Sequence, residues 1–133
     1  INLKKIADLD LTTDRGVEVD RSLLTTNAYD IINDPDIQIV IELIGGYEPA
    51  RTFILEAVKR GKHVVTANKA LLANHGAEIF AAAIAGKVDV AFEASVGGGI
   101  PVIRSIREGL TANSTLRRCG SLNGTANPDQ DEP

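Results

Sequence analysis

The tract from Ile37 to Ala67 constrains this chain more than any other part of it. Ile37-Gln38-Ile39-Val40-Ile41-Glu42-Leu43-Ile44 is rich in β-branched residues and stops at Gly45-Gly46, which predicts a strand buried on both faces. A helix follows. Pro49 suits its first turn, where a missing N–H is no loss, and Gly61 suits the position after its end. Between them Phe53, Ile54, Ala57 and Val58 form an apolar stripe at helical spacing. Lys59 and Arg60 fall in the last turn, where the helix dipole favours cations. His63 to Ala67 is strand-like again. Strand, helix and strand joined by short loops form a right-handed βαβ unit with parallel strands.

The flanks extend this unit. Residues 3 to 9 read as a strand, followed by a polar loop to about residue 21. Thr25-Thr26-Asn27 offers N-cap chemistry for a short helix near 27 to 33, which Asn33-Asp34-Pro35-Asp36 ends. After the His63 strand, helices are expected around 69 to 73 and from Ala77 to Ala85, broken at Asn74-His75-Gly76. Val88 to Phe92 is a further strand, Glu93 to Gly99 a small-residue loop, and Ile100 to Leu110 a helix opened by Pro101. Leu116 to Leu122 is read as a fifth strand. Alternating strands and helices of this kind predict an α/β fold with a parallel sheet.

Bulk properties remove several classes of function. The 133 residues suit one domain, and 44% hydrophobic residues suffice for a core. The balance of 14 basic and 18 acidic side chains gives −4, without the clustered cations of a nucleic-acid grip. No apolar run approaches the roughly 18 residues of a membrane helix, and Ile1-Asn2-Leu3-Lys4-Lys5 is no signal peptide. A single cysteine, Cys119, excludes an internal disulfide and a cysteine metal cluster. The sequons at Asn113 and Asn123 are therefore read as chance, and a cytoplasmic protein is expected. The absence of methionine and the acidic ending "NPDQDEP" make both ends look cut.

In parallel α/β sheets ligands bind outside the carboxyl ends of the strands. Those ends are Asp8, Gly45-Gly46, Thr66-Asn68-Lys69 and the loop Glu93 to Gly99. Gly45-Gly46 permits close approach of a ligand to the backbone, or is a plain turn. Asp8, near Asp10 and Asp14, is placed to bond a ribose, or is a solvated loop carboxylate. Asn68 can cap the helix that begins at Lys69. A lysine there is disfavoured by the dipole, so it either serves a ligand or is solvated surface. In Glu93-Ala94-Ser95-Val96-Gly97-Gly98-Gly99-Ile100-Pro101 the three glycines can turn carbonyls inward for a hard cation. Alternatively, amides and a helix N-terminus there can hold an anion. His63 and His75 pair with no nucleophile in a recognisable spacing, and Cys119 is read as packing.

The segments "ELIGG", "GKHVVTANKALLA", "FEASVGGGIP", "IREGL" and "LNGTAN" together resemble homoserine dehydrogenase in order and spacing, over residues 1 to about 127. The resemblance implies an NAD(P)-dependent oxidoreductase that interconverts L-homoserine and L-aspartate 4-semialdehyde, in biosynthesis leading to threonine and methionine. It places Lys69 at the nicotinamide–substrate site as the catalytic residue of this segment. Thr66 and Lys69 match cofactor-contacting positions, with Ile44 and Gly45 lining the cofactor. Glu93, Val96, Gly98 and Ile100 match positions that bind a structural sodium ion. A small-molecule substrate and a homo-oligomer are also implied, with no nucleic-acid or membrane partner. Asp8 and Arg15 pull in opposite directions between NAD and NADP.

The departures shape the expected architecture. The family's glycine-rich phosphate loop and first strand have no counterpart here, and "PDQDEP" stands where a long catalytic region continues. The fold expected is thus an incomplete Rossmann-like doubly wound parallel sheet without its first strand. Residues 1–100 read as a partial NAD(P)-binding domain, 101–127 as the start of a catalytic and dimerisation region, and 128–133 as an atypical tail. The absent strand would be central, so another segment, chain or copy should fill the gap. The 133 residues alone are expected to be inactive. The alternative is an inactive remnant that binds a nucleotide or a partner.

Overall fold

The computed structural model describes residues 1–112. The expected strand 116–122, Cys119, both sequons, the tail 128–133 and most of the 101–127 region lie outside the described residues.

Strand β3 (Ile39–Glu42), helix α2 (Ala50–Lys59) and strand β4 (His63–Thr66) form the βαβ unit, with β3 and β4 parallel and Glu42 opposite Thr66. Helix α3 (Lys69–Gly86) leads to β5 (Val90–Ala91), which pairs parallel with β4 through Val64 and Val90. Helices α2 and α3 pack together, and their buried Ile54, Val58, Leu71 and Ile79 meet Val64 and Val90 in the core. This is the stripe expected of α2 except for Phe53. That ring instead meets Tyr29 edge-on, 5.5 Å between centroids.

A second, two-stranded piece of parallel sheet precedes this one. Strand β1 (Ile6–Ala7) pairs with β2 (Leu24–Thr25), Ile6 opposite Leu24. Helix α1 (Tyr29–Ile32) follows, and it packs on both β1 and α2. The order β1-β2 and β3-β4-β5 maps onto a doubly wound sheet broken at its central position. The architecture is that of a Rossmann-like α/β sheet with one strand position unfilled among the described residues.

Four expectations need correction. The strand placed at 3 to 9 is paired only at Ile6–Ala7, because its partner is just two residues long, and Leu3 and Leu9 are exposed. That partner, β2, includes Thr25, which the sequence marks as cap chemistry rather than strand. Strand β3 is not buried on both faces. Ile39 and Ile41 are 47% and 63% exposed, because both packed helices cover the face carrying Val40 and Glu42. Finally, 69–73 and 77–85 are one continuous helix. Gly76 lies on its buried face near Leu71 and Ile79, and packing against α2 outweighs the glycine's weak propensity. The helix expected at 100 to 110 is present as α4 (Val102–Arg104) running into a π-helical stretch, Ser105–Gly109.

Lys62 ties the pieces at the amino ends of the strands. It is only 4% exposed, and its Nζ donates to the carbonyls of Asp34 and Ile37, each at 2.5 Å. Its four-carbon stem is sequestered while the ammonium is satisfied by backbone oxygens.

The continuous α3 makes a prediction. A Cβ added at Gly76 would meet Phe80 at 3.5 Å and Leu72 at 4.0 Å, ordinary contacts. Gly76→Ala should therefore stabilise the protein by about 0.5–1 kcal/mol, the helix-propensity gain. Urea unfolding measures this directly, and destabilisation of that size would mean that the helix does bend at residues 74 to 76.

Candidate functional site

The carboxyl ends of β3, β4 and β5 come together in one hydrogen-bonded cluster. Its centre is Glu42, a carboxylate with 4% exposure. Oε1 of Glu42 accepts from the backbone N–H groups of Ile44 at 2.7 Å and Gly45 at 3.1 Å. Oε2 accepts from the Thr66 hydroxyl at 2.6 Å. Buried charge is costly unless saturated with donors, and here three donors supply that.

Thr66 has no exposed surface and both functions of its hydroxyl are engaged. The hydroxyl donates to Glu42 and accepts from the N–H of Asn68 at 3.0 Å, and the Thr66 carbonyl accepts from the Ser95 hydroxyl at 3.0 Å. Asn68 caps α3 as its residue type predicts, accepting from the Leu71 N–H at 3.1 Å. Its amide also donates to the Gly46 carbonyl at 2.7 Å, stitching the end of β3 to the start of α3.

The turn that this cluster holds is open to solvent. Gly45 and Gly46 have φ of 79° and 69°, a left-handed pair that side chains disfavour, and no atom lies within 4 Å of either ideal Cβ position. Ile44 is 54% exposed beside them. The glycines are thus required by conformation, and among the described residues nothing fills the space over them.

Lys69 is the first residue of α3 and is exposed. No hydrogen bond or ion pair engages its ammonium among the described residues. It lines a groove of about 310 Å³ together with Leu72, Phe80, Phe92 and Val96. Phe80 and Phe92 pack against each other there at 5.1 Å. Ile44, Gly45, Thr66 and Lys69, the residues expected around a cofactor, therefore occupy two adjoining strand ends. Ile44, Gly45 and Lys69 are accessible, and Thr66 is the support behind them.

The glycine loop contains a 3-10 turn at Glu93–Ser95, followed by Gly97 and Gly98 with φ of 74° and 59°. Both carboxylate oxygens of Glu93 are occupied, accepting from the N–H groups of Ile103 and Arg104 at 2.9 Å each. The protein's own carboxylate thereby takes the place at the helix start that an external anion would need. The carbonyls of Glu93 and Ile100 accept from Val96 and Val102 at 3.1 and 2.8 Å, each retaining a second lone pair. Those of Val96 and Gly98 accept no hydrogen bond among the described residues. This donor set is compatible with a hard monovalent cation bound through backbone oxygen.

Asp8 lies apart, on the two-stranded piece. Its carboxylate accepts from Arg15 at 2.8 Å and from the N–H of Asp10 at 3.0 Å. Hydrogen bonds from Thr13 and Thr12 hold the neighbouring Asp10 carboxyl far below the usual range. His63 Nδ1 accepts from the Asp89 N–H at 3.0 Å, and His75 packs edge-on against Tyr47, so neither imidazole joins the cluster.

Two members, Glu42 and Ser95, escaped the sequence analysis. For Glu42 a signal existed. It shares the strand phase of Val40, so a strand with Val40 facing the core also points Glu42 inward. Ser95 carries no such signal, since only the fold brings its hydroxyl to the Thr66 carbonyl.

Residues 1–93 match the family model described as "Homoserine dehydrogenase, NAD binding domain". The homoserine dehydrogenase of Bacillus subtilis is 44% identical over 96% of this chain, which spans 29% of that protein. The Pseudomonas aeruginosa homoserine dehydrogenase is 56% identical over 78% of this chain and 24% of its own length. The solved homoserine dehydrogenase of Thiobacillus denitrificans superposes with a TM-score of 0.67 at 63% identity, covering 68% of this chain and 21% of that one. The chain thus spans less than a third of the curated relatives it matches. Over that span the family model, the curated relatives and the solved structure agree, and the chain belongs to the homoserine dehydrogenase family through its NAD-binding domain.

Proposed function

We propose that this chain forms the NAD(P)-binding part of an enzyme that interconverts L-homoserine and L-aspartate 4-semialdehyde. The observation that carries the proposal is the conjunction, at two adjoining strand ends, of an open Gly45-Gly46 turn with an exposed Lys69 whose ammonium has no partner among the described residues. In the oxidising direction the alcohol carbon gives up a hydride to the nicotinamide and the hydroxyl passes its proton to a general base contributed from outside this segment. A bound NAD(P)⁺ supplies the hydride acceptor. Gly45 presents backbone without a Cβ, Ile44 adds an apolar contact, and Thr66 holds both from behind. Lys69 orients the reacting oxygen and favours the negative charge that develops on it. The apolar groove beside Lys69 limits water near the reacting centre.

The finer parts of the proposal follow from the family. The carbonyls of Val96, Gly98 and Ile100, with Glu93, hold a structural sodium ion that stiffens the loop after β5. The reaction serves threonine and methionine biosynthesis in the cytoplasm, and the enzyme is a homo-oligomer. Residues 1–100 are its cofactor portion and 101–127 open its catalytic and dimerisation region. Among the described residues no helix is long and apolar enough to cross a membrane.

Three outcomes are expected. In the full-length protein carrying this segment, Lys69→Ala lowers turnover at least tenfold with the circular dichroism unchanged, a loss of roughly 1.4 kcal/mol or more at the transition state. Turnover within twofold of wild type would return Lys69 to plain surface. Crystals soaked with rubidium should give an anomalous peak within coordination distance of the Val96 and Gly98 carbonyls, and a featureless loop would remove the cation. Residues 1–133 alone should oxidise no homoserine in a coupled assay, because a positioned acid–base group near the reacting hydroxyl is needed. Measurable turnover would place that group inside this segment.

A further inference from the structure

We propose that Glu42 is a positioning residue, one that shapes the Ile44–Gly46 turn to receive the uncharged nicotinamide half of the dinucleotide rather than its phosphates. The inference rests on the NAD(P)-binding reading given above.

Stability alone does not account for this carboxylate. At 4% exposure it occupies an inward position of β3 in phase with Val40, where an aliphatic side chain would pack without any desolvation cost. All of its hydrogen bonds go to the ligand-facing turns. Oε1 takes the N–H groups of Ile44 and Gly45, and Oε2 takes the Thr66 hydroxyl. Two successive amides gathered on one oxygen bend the chain sharply at the strand end. That bend continues into the left-handed pair Gly45 and Gly46 and brings the Gly46 carbonyl to the Asn68 amide at 2.7 Å. A single acceptor therefore sets the turn after β3 and, through Thr66 and Asn68, the first turn of α3 that carries Lys69.

The same bonds decide what the turn can bind. A glycine turn at a strand end usually offers its amides to phosphate oxygens. Here the amides of Ile44 and Gly45 are already spent on an internal carboxylate, whose charge also opposes an anion. What remains among the described residues is the single Gly46 amide, a bare peptide face over Gly45 and the exposed side chain of Ile44. That surface suits a flat, neutral or cationic ring, as the nicotinamide is.

The test uses the full-length protein carrying this segment, with Glu42→Ala and Glu42→Gln. Calorimetry gives Kd for whichever of NAD and NADP the wild type prefers, and for ADP, which lacks the nicotinamide half. Hydrogen exchange without ligand follows the Ile44 and Gly45 amides. For Glu42→Ala we expect lost protection at both amides, a dinucleotide Kd raised at least tenfold, and ADP within twofold of wild type. Glu42→Gln keeps one carbonyl acceptor and should give a rise of two- to fivefold. Equal weakening of ADP and dinucleotide would reduce Glu42 to a structural residue and overturn the proposal. So would a dinucleotide Kd within twofold of wild type in Glu42→Ala or, if that variant does not fold, in Glu42→Gln. A wild type that binds dinucleotide but turns over no homoserine would sink the proposed reaction and leave the positioning role standing. One that binds neither dinucleotide would sink both.

Discussion

The hydrogen bond from the Thr66 hydroxyl to Glu42, 2.6 Å long and buried, is the interaction on which the rest of the ligand edge depends. The parallel register of β3 and β4 sets the two residues opposite each other. Each then reaches onward along its own chain, Glu42 to the amides of Ile44 and Gly45, Thr66 to the amide of Asn68. Removing either partner would leave a buried polar group unsatisfied, which costs more than the bond itself contributes. Strand ends in parallel sheets otherwise diverge into independent loops. Here hydrogen bonds join them into one wall.

That wall is placed by packing below it. Both crossover helices lie on one face of β3-β4-β5, and the apolar contacts among Ile54, Val58, Leu71, Ile79 and Val64 bind them to the sheet. The start of α3 is consequently fixed twice, by the core through Leu71 and by Asn68 through its cap. Lys69, next to the cap, inherits this rigidity at its backbone while its ammonium stays exposed. The opposite face of β3 carries Ile39 and Ile41 largely uncovered. An exposed apolar strand face of this kind is a surface suited to contact with another element or molecule.

Local signals identified α2 well, because its proline, its terminal glycine and its apolar stripe are all set by short-range physics. They also identified the Asn68 cap, since an amide immediately before a helical pattern has few other uses. They failed where long-range contact outweighed local preference. Asn74-His75-Gly76 looks like a break, yet Gly76 is buried within an unbroken helix whose stability comes from α2. Thr25 looks like a helix cap, yet Leu24–Thr25 forms a strand because Ile6–Ala7 lies beside it. Ile39 and Ile41 looked like core, and they would be core if their face were covered.

By itself the sequence determined the parallel α/β class and the gathering of Gly45, Thr66 and Lys69 at the carboxyl ends of the strands, the edge proposed for the cofactor. Those properties follow from hydrophobic period, chain chirality and the chemistry of strand ends, none of which needs distant residues. Only the tertiary structure decided which of these residues are buried and which stay accessible. Thr66 turned inward to serve Glu42, while Ile44 and Lys69 remained open. It also decided that Glu93 caps the helix after the glycine loop, its carboxylate taking the Ile103 and Arg104 amides. A hydroxyl or carboxylate bonds whichever donor or acceptor the fold brings within about 3 Å, and that proximity is created by strand register and helix packing.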